Sequence, residues 1–371
     1  MDLDFNQEQE MLRKSVAEFL AKECPFDEVR ELEESDQGYS PGLWKKMANL
    51  GWMEACFPEE YGGYGESFFD IIIILEEIGK KAYPSPFFST VVLCGQTIMI
   101  GGSENQKKDL LGKIASGKLI MALAQQEEDA SYNPSDVNMP AELSGDQYVL
   151  NGTKMFVQDA NVADKLIVAA RTSEGVSLFL VDAKDPGLTV TKFHAIGKDN
   201  LCRVDFKDVK VSKDDLIGDA GQGADILEKM SQKAAVAKCA EMLGGAQESL
   251  EMTNAYAKQR VQYATPIGGF QIIQHYLADM KIHYETCVNY LYKVAWMVDE
   301  GLATVLETSA LKAEVSDKYK LITEKAVQIH GGIGTTREFN IGLFYRRAKA
   351  FEYVLGDADY HYEKVAQAAG L

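Results

Sequence analysis

Hydrophobic and polar positions along the chain change their period twice. In the first third, apolar residues recur at helical spacing. Leu12, Val16, Phe19 and Leu20 form one stripe, which Glu23-Cys24-Pro25 ends because proline disfavours helix at the residue before it. Pro41 to Leu50 reads as a short helix with proline in its first turn and Gly51 as its stop. Ile71 to Ile74 suits a strand by propensity alone. Ser67 ahead of it and Leu75-Glu76-Glu77-Ile78-Gly79 behind it instead predict a buried helix with a glycine stop. Pro84 and Pro86 break the chain before an apolar helix over Thr90 to Ile100, and Ser103 opens a further helical segment to Leu111.

From Leu119 the period shortens. Alternating segments occur at Leu119–Ala124, Tyr148–Leu150, Met155–Val157, Lys165–Ala169, Val176–Val181, Leu188–Val190 and Val204–Phe206, with Asn151-Gly152 predicting a hairpin turn between two of them. Beyond Ala224 the helical period returns, over roughly 224–258, 270–300, 303–330, 338–349 and 357–368. The pattern predicts an α+β chain of three domains: helical over 1–118, β over 119–221 and helical over 222–371.

Composition narrows the class. A hydrophobic fraction of 46% and a charged fraction of 25% suit a soluble globular protein, and no apolar run approaches the roughly 20 residues of a membrane span. The start is acidic and polar, so neither signal nor transit peptide is expected. Six scattered cysteines point to reduced thiols in a cytoplasmic protein. A net charge of −18 speaks against nucleic acid but leaves room for a phosphorylated small ligand held by local donors. His275, Asp279 and His283 share a helix face without a further ligand beside them, so no metal is expected.

Two stretches carry candidate chemistry. Arg260–Gln271 (RVQYATPIGGFQ) brings a guanidinium and the amides of Gln262 and Gln271 to a turn containing Pro266, Gly268 and Gly269. Gln328–Gly334 (QIHGGIG) places Gly331 and Gly332 where backbone N–H groups can approach a ligand. A fixed guanidinium, amides and open backbone suit an anion such as a pyrophosphate. By spacing alone, two ordinary interhelical loops explain them equally well.

Taken in order, these stretches resemble the FAD-binding segments of the acyl-CoA dehydrogenase family, R-x-x-F-G-x-P-I…Q followed by Q-x-x-G-G-x-G. Tyr263 stands for the aromatic and Ala264 for the first glycine. The likeness covers nearly the whole chain. It implies the family's fold: an N-terminal helical domain, a middle β-barrel-like domain and a C-terminal four-helix bundle, with FAD between the last two. In that family both segments reach across a subunit interface to the neighbour's FAD. The resemblance thereby assigns cofactor contact to Arg260, Tyr263, Gln271, Gln328, Gly331 and Gly332. The family's A-L-T-E-P is degenerate here, Ala122-Leu123-Ala124-Gln125-Gln126, with Gln125 on the flavin side. Its G-x-K-x-W-I-T-N-A becomes Gly152–Ala160, with Phe156 for the tryptophan over the ring and Gln158 for the threonine that reaches flavin N5.

The same comparison raises a difficulty over the general base. Family members place a glutamate before G-T, where this chain has Leu355-Gly356-Asp357, or on the long helix, where it has Ala234 followed by Ala235. Asp357, two residues from the first position, and Glu241, on the same helix face as the second, become candidates for a relocated base, with Tyr353 as a hydrogen-bond donor. Glu241 lies two helical turns beyond Ala234, about 10 Å along the axis. The expectation is an FAD-dependent dehydrogenase for an unusual acyl-CoA, cyclic, branched or carboxylated. The alternative is an FAD-sharing, non-catalytic subunit of a heteromeric dehydrogenase. Either reading implies electron-transferring flavoprotein as electron acceptor and a homotetramer or heterotetramer.

Overall fold

The computed structural model describes residues 5–65 and 67–371. The N-terminal helices are α1 (Gln7–Glu23), α2 (Phe26–Glu34), α3 (Pro41–Asn49) and α4 (Phe68–Lys81). Asn6 and Gln9 form a reciprocal cap at the start of α1, and Ser40 caps α3. The isoleucine run is helical because α4 is buried on nearly all sides, between α1 and the C-terminal bundle, and packing overrides β-branched propensity. The predicted stop at Gly79 is corrected. Gly79 lies inside α4, which ends at Ala82 in the left-handed region with φ 47°. Gly79 serves the helix crossing instead. A Cβ there would meet the Glu241 carbonyl at 2.0 Å, and one at Gly244 would meet the Glu76 carbonyl at 2.0 Å. A π-helical turn (Phe88–Gly95) then leads into α5 (Gln96–Gly101), and α6 (Glu104–Gln106) and α7 (Gly112–Ala115) complete the domain.

The middle domain holds β1 (Met121–Ala124), β2 (Ala141–Ser144), β3 (Gln147–Gln158), β4 (Lys165–Thr172), β5 (Gly175–Asp182), β6 (Leu188–Lys192), β7 (Leu201–Ser212) and β8 (Leu216–Ile217). They form two four-stranded sheets, β1-β4-β5-β8 and β2-β3-β7-β6, around a core that includes Leu150, Val168, Phe179 and Val204. The predicted hairpin at Asn151-Gly152 is also corrected. β3 runs straight through it, and the residues mark a register shift against β7, with Gly152 at φ 145°. The Asn151 side chain accepts from Asp208 N at 2.8 Å across that shift. Asn-Gly suits a bulge as well as a tight turn, since both need unusual backbone angles.

The C-terminal part contains α8 (Gly223–Gln259), α9 (Gln271–Asp299), α10 (Val305–His330), α11 (Ile341–Phe351) and α12 (Ala358–Ala369). Helices α8, α9 and α10 pack together, and α11 and α12 lie against α10. One apolar core runs from the N-terminal helices into this bundle, so only the β domain has a core of its own. Among the described residues, no helix is long and apolar enough to cross a membrane. All six cysteines are buried and free.

Candidate active site

A cavity of about 450 Å³ lies where the β domain meets the bundle. On the β side its wall includes Gln125, Met155, Phe156 and Gln158. A second register shift in β3, between Lys154 and Val157, holds Phe156 at φ 55°. That bulge turns Met155 and Phe156 toward the same cavity, which a regular two-residue alternation would not do. The turn after β1 is held by Lys154, a fully buried side chain. Its Nζ donates to the Gln125 carbonyl at 3.0 Å and to Glu127 at 2.7 Å, and Glu127 also accepts from Met139 N at 2.8 Å. Burial pushes the Lys154 amine down to about 8, against the pull of its Glu127 partner.

On the bundle side the wall is built by α8, α10, α11 with the segment after it, and α12. The segment Glu352–Gly356, where the sequence resemblance puts the family's usual base, is pinned by buried donors. Lys312 Nζ bonds to the carbonyls of Glu352 (3.1 Å) and Gly356 (2.8 Å) and to Ser316 Oγ (3.0 Å). His361 Nε2–H donates to the Leu355 carbonyl at 3.1 Å, which makes Nδ1 the unprotonated nitrogen. Burial pushes His361 down to about 3, reinforced by the nearby Lys312 charge, so the ring is neutral. Leu355 itself sits in the left-handed region at φ 62°, costly for a side chain with a Cβ, and lines the cavity. Ala235 lines it as well.

The two carboxylates suggested as bases have other occupations. Asp357 caps α12, its Oδ1 accepting from Tyr360 N at 2.9 Å, and it is not part of the cavity wall. Glu241 is buried, 2.5 Å from Lys238 Nζ and 4.0 Å from Arg347, and faces a separate cavity of about 30 Å³. Lys238 lies between the Phe88 and Phe351 rings, with Nζ 3.7 and 4.2 Å from their centroids, and lines the large cavity. Tyr353 lines that cavity too and is exposed.

The residues around Arg260 and Gln328 form a different region. Arg260 ends α8, Gln271 opens α9, and Gln328, Gly331 and Gly332 end α10. Tyr256 stacks on His330 with centroids 4.3 Å apart and draws the two stretches to one edge of the bundle. None of them lines the cavity. Tyr263 is 94% exposed, and a Cβ added at Gly331 or Gly332 would meet nothing within 4 Å. Among the described residues, the side chains of Arg260, Gln271 and Gln328 have no hydrogen-bonding partner.

This arrangement fits FAD: an apolar slot with an aromatic cover at Phe156 and an amide at Gln158 for a flat ring system, and an open guanidinium and glycine backbone for an anion. Sequence reasoning gave no role to Lys154, Lys238, Lys312, His361 or Asp199. The first was part of a quoted motif, and Lys238 with Glu241 shows an i, i+3 pairing. Nothing in the local sequence singles out the other three.

A three-domain fold with a cavity of about 450 Å³ between β domain and bundle, covered by Phe156, suits the class of flavin-dependent oxidoreductases. Comparisons with known proteins narrow this class. The family descriptions "Acyl-CoA dehydrogenase, N-terminal domain", "middle domain" and "C-terminal domain" match residues 6–118, 122–209 and 221–370. The chain is 31% identical to "Probable acyl-CoA dehydrogenase YngJ" of Bacillus subtilis over 97% of both chains. It is 30% identical to "Caffeyl-CoA reductase-Etf complex subunit CarC" of Acetobacterium woodii over 94% of both. Among solved structures, the ChsE4-ChsE5 complex of Mycobacterium tuberculosis superposes with a TM-score of 0.92 at 26% identity, covering 100% of this chain and 99% of that one. The chain belongs to the acyl-CoA dehydrogenase family. It is an FAD flavoprotein and an oxidoreductase acting on acyl-CoA.

Proposed function

We propose that the chain dehydrogenates a cyclic, branched or carboxylated acyl-CoA rather than a plain linear one. The observation that carries this is the bundle-side wall. Ser231, Gln232 and Ser309 line the cavity without side-chain hydrogen bonds among the described residues, beside the buried cation of Lys238. A saturated alkyl chain would leave these polar groups dry and unpaired, whereas a bulky acyl group with polar functions would satisfy them. FAD supplies, when bound, the acceptor for the hydride that leaves the β-carbon. The protein's part is to seat the thioester, exclude water and take the α-proton. Phe156, Gln158 and Gln125 would hold the flavin ring. Arg260, Tyr263, Gln271, Gln328, Gly331 and Gly332 would hold the diphosphate and adenine of a neighbouring chain's FAD. That sharing calls for an even-numbered assembly, and electron-transferring flavoprotein is the electron acceptor we assign. Anaerobic mixing with linear, branched, cyclic and dicarboxylic acyl-CoAs tests the reading. Flavin bleaching should be fastest with a non-linear substrate, and fastest bleaching by a linear one would refute it.

A second observation favours the FAD-sharing, non-catalytic subunit. The turn after β1 carries Glu127, Glu128, Asp129 and Asp136; of the cations that reach it, Lys154 is paired with Glu127 and Arg171 is bonded to the carbonyls of Ser135 and Val137. That is a poor bed for a diphosphate on this chain's own side, while the Arg260 edge stays open to a neighbour's. The chain purified alone would then be colourless and inactive, and a second, different subunit would restore both flavin and turnover. Yellow, active protein from this chain alone would remove that reading.

A further inference from the structure

With Leu355 and Ala235 in the walls, and Asp357 and Glu241 engaged elsewhere, two carboxylates still line the large cavity: Asp199 and Glu228. Glu228 is tied to Lys364 at 2.6 Å. Asp199 differs. It sits in the segment leading into β7 and lines both the large cavity and the small one behind it, as Gln158 does. Its backbone carbonyl accepts from Leu201 N, but among the described residues its carboxylate has neither a hydrogen-bond donor nor an ion-pair partner. A carboxylate that faces the cavity without a partner is free to take a proton from a molecule bound there, which Glu228, tied to Lys364, and Asp357, held at its cap, are not.

We infer that Asp199 is the proton-accepting group of this cavity, replacing the glutamates absent at Leu355 and Ala234; the inference rests on the proposed dehydrogenation of an acyl-CoA. In the step assigned to it, the α C–H bond of the bound thioester breaks and an O–H bond forms on the Asp199 carboxylate. The electron pair spreads onto the thioester carbonyl oxygen. No oxidant enters this step. The surroundings suit a base that must be charged before reaction and neutral after it. Burial pushes the Asp199 carboxyl above the usual carboxylate range, and Arg347 and Lys238 pull it back down. Glu241 on α8 and Glu33 on α2 add negative charge around it, as does Asp159 at the end of β3. The small cavity, with Arg347 and Lys198 in its wall, lies behind Asp199 and gives the captured proton a polar outlet.

The test uses the flavin-loaded protein in D₂O without an electron acceptor, with an acyl-CoA that calorimetry shows to bind. Mass spectrometry then follows deuterium entering the α-position of the excess, unoxidised thioester. Asp199→Asn should lower this exchange by about 10²–10⁴-fold while flavin content and melting temperature hold. Wild-type exchange should rise with pH and level off once Asp199 is ionised, and that limb should vanish in the variant. Adding Leu355→Glu to Asp199→Asn should bring exchange back. If Asp199→Asn does not fold, Asp199→Glu takes its place: retained exchange with the same pH limb supports the inference, and loss of the limb in a folded protein overturns it. Exchange by Asp199→Asn at the wild-type rate, or a wild-type protein that binds acyl-CoA but exchanges nothing, overturns the role of Asp199 and leaves the proposed function standing. Failure of every acyl-CoA to bind overturns both.

Discussion

The cavity and the Arg260 edge, two regions assigned to one cofactor, are built on opposite rules. The edge comes from two short contiguous stretches in which Arg260, Gln271 and Gln328 are exposed and, among the described residues, without a side-chain partner. The cavity draws on β1, β3, the approach to β7, α8, α10, α11 and α12, and its shape depends on the buried amines of Lys154 and Lys312, which bond to backbone carbonyls. Chemistry at an open edge resides in residue identity and survives small shifts in position. Chemistry in a closed cavity depends on which charge each group already neutralises. Asp357 and Glu241 were plausible by identity, yet one caps a helix and the other answers Lys238.

The sharpest way to break this contrast is to write the family's base back into the cavity. Leu355→Glu should raise the rate of flavin reduction by a linear acyl-CoA by about 10²–10⁴-fold, the usual worth of a placed general base. No gain in stopped-flow bleaching, with flavin still bound, would mean that the pinned segment does not aim position 355 at the α-carbon.

Lys312→Met comes next. It removes three hydrogen bonds from a buried cation and frees the Glu352–Gly356 segment, so urea unfolding should show a loss of about 3–4 kcal/mol after allowing for the desolvation of the lysine. A loss below about 1 kcal/mol would show that the cavity wall does not depend on this amine.

Asp159 offers a pH test. Burial raises its carboxyl from 3.8 to about 6, despite donors from Ser89 and Asn200 and a nearby Lys238. The folded chain therefore keeps a proton that the unfolded chain releases near pH 4. Stability contributed by this group falls as pH rises from about 4 to 6 and stays low above that. By the conversion of 1.36 kcal/mol per unit, the penalty reaches about 3 kcal/mol. Asp159→Asn should gain on the wild type by about that amount between pH 4 and 7 in denaturant titrations, and a constant difference would contradict it.

The edge should respond differently. Arg260→Ala should weaken FAD retention by about 1.5–3 kcal/mol while leaving the unfolding of flavin-free protein unchanged, because among the described residues the exposed guanidinium has no hydrogen-bond or ion-pair partner. Flavin content after dialysis reads this directly. The smallest effect belongs to Tyr263→Ser, within about 0.5 kcal/mol on stability because the ring is 94% exposed. A larger destabilisation of the isolated chain would show that the edge is not an open surface.

The sequence by itself determined the order of the elements and the class of the protein. Helical spacing located α8 to α12 within a few residues, alternation marked the β domain, and the glycine and arginine motifs identified the family. These features are local, written in the spacing of neighbouring residues. Tertiary structure decided what depends on long-range contact. It made Asn151-Gly152 a bulge because β7 lies alongside to continue the pairing. It placed Gly79 inside α4 because α8 crosses there at backbone distance. It also gave three acidic residues different surroundings: Asp357 a helix cap, Glu241 an ion pair, and Asp199 a cavity wall with no partner for its carboxylate among the described residues. Asp357, Glu241 and Asp199 are chemically alike along the chain. What separates them is whether a backbone N–H, a bonded ammonium or a cavity faces each, and those neighbours arrive only when distant elements pack.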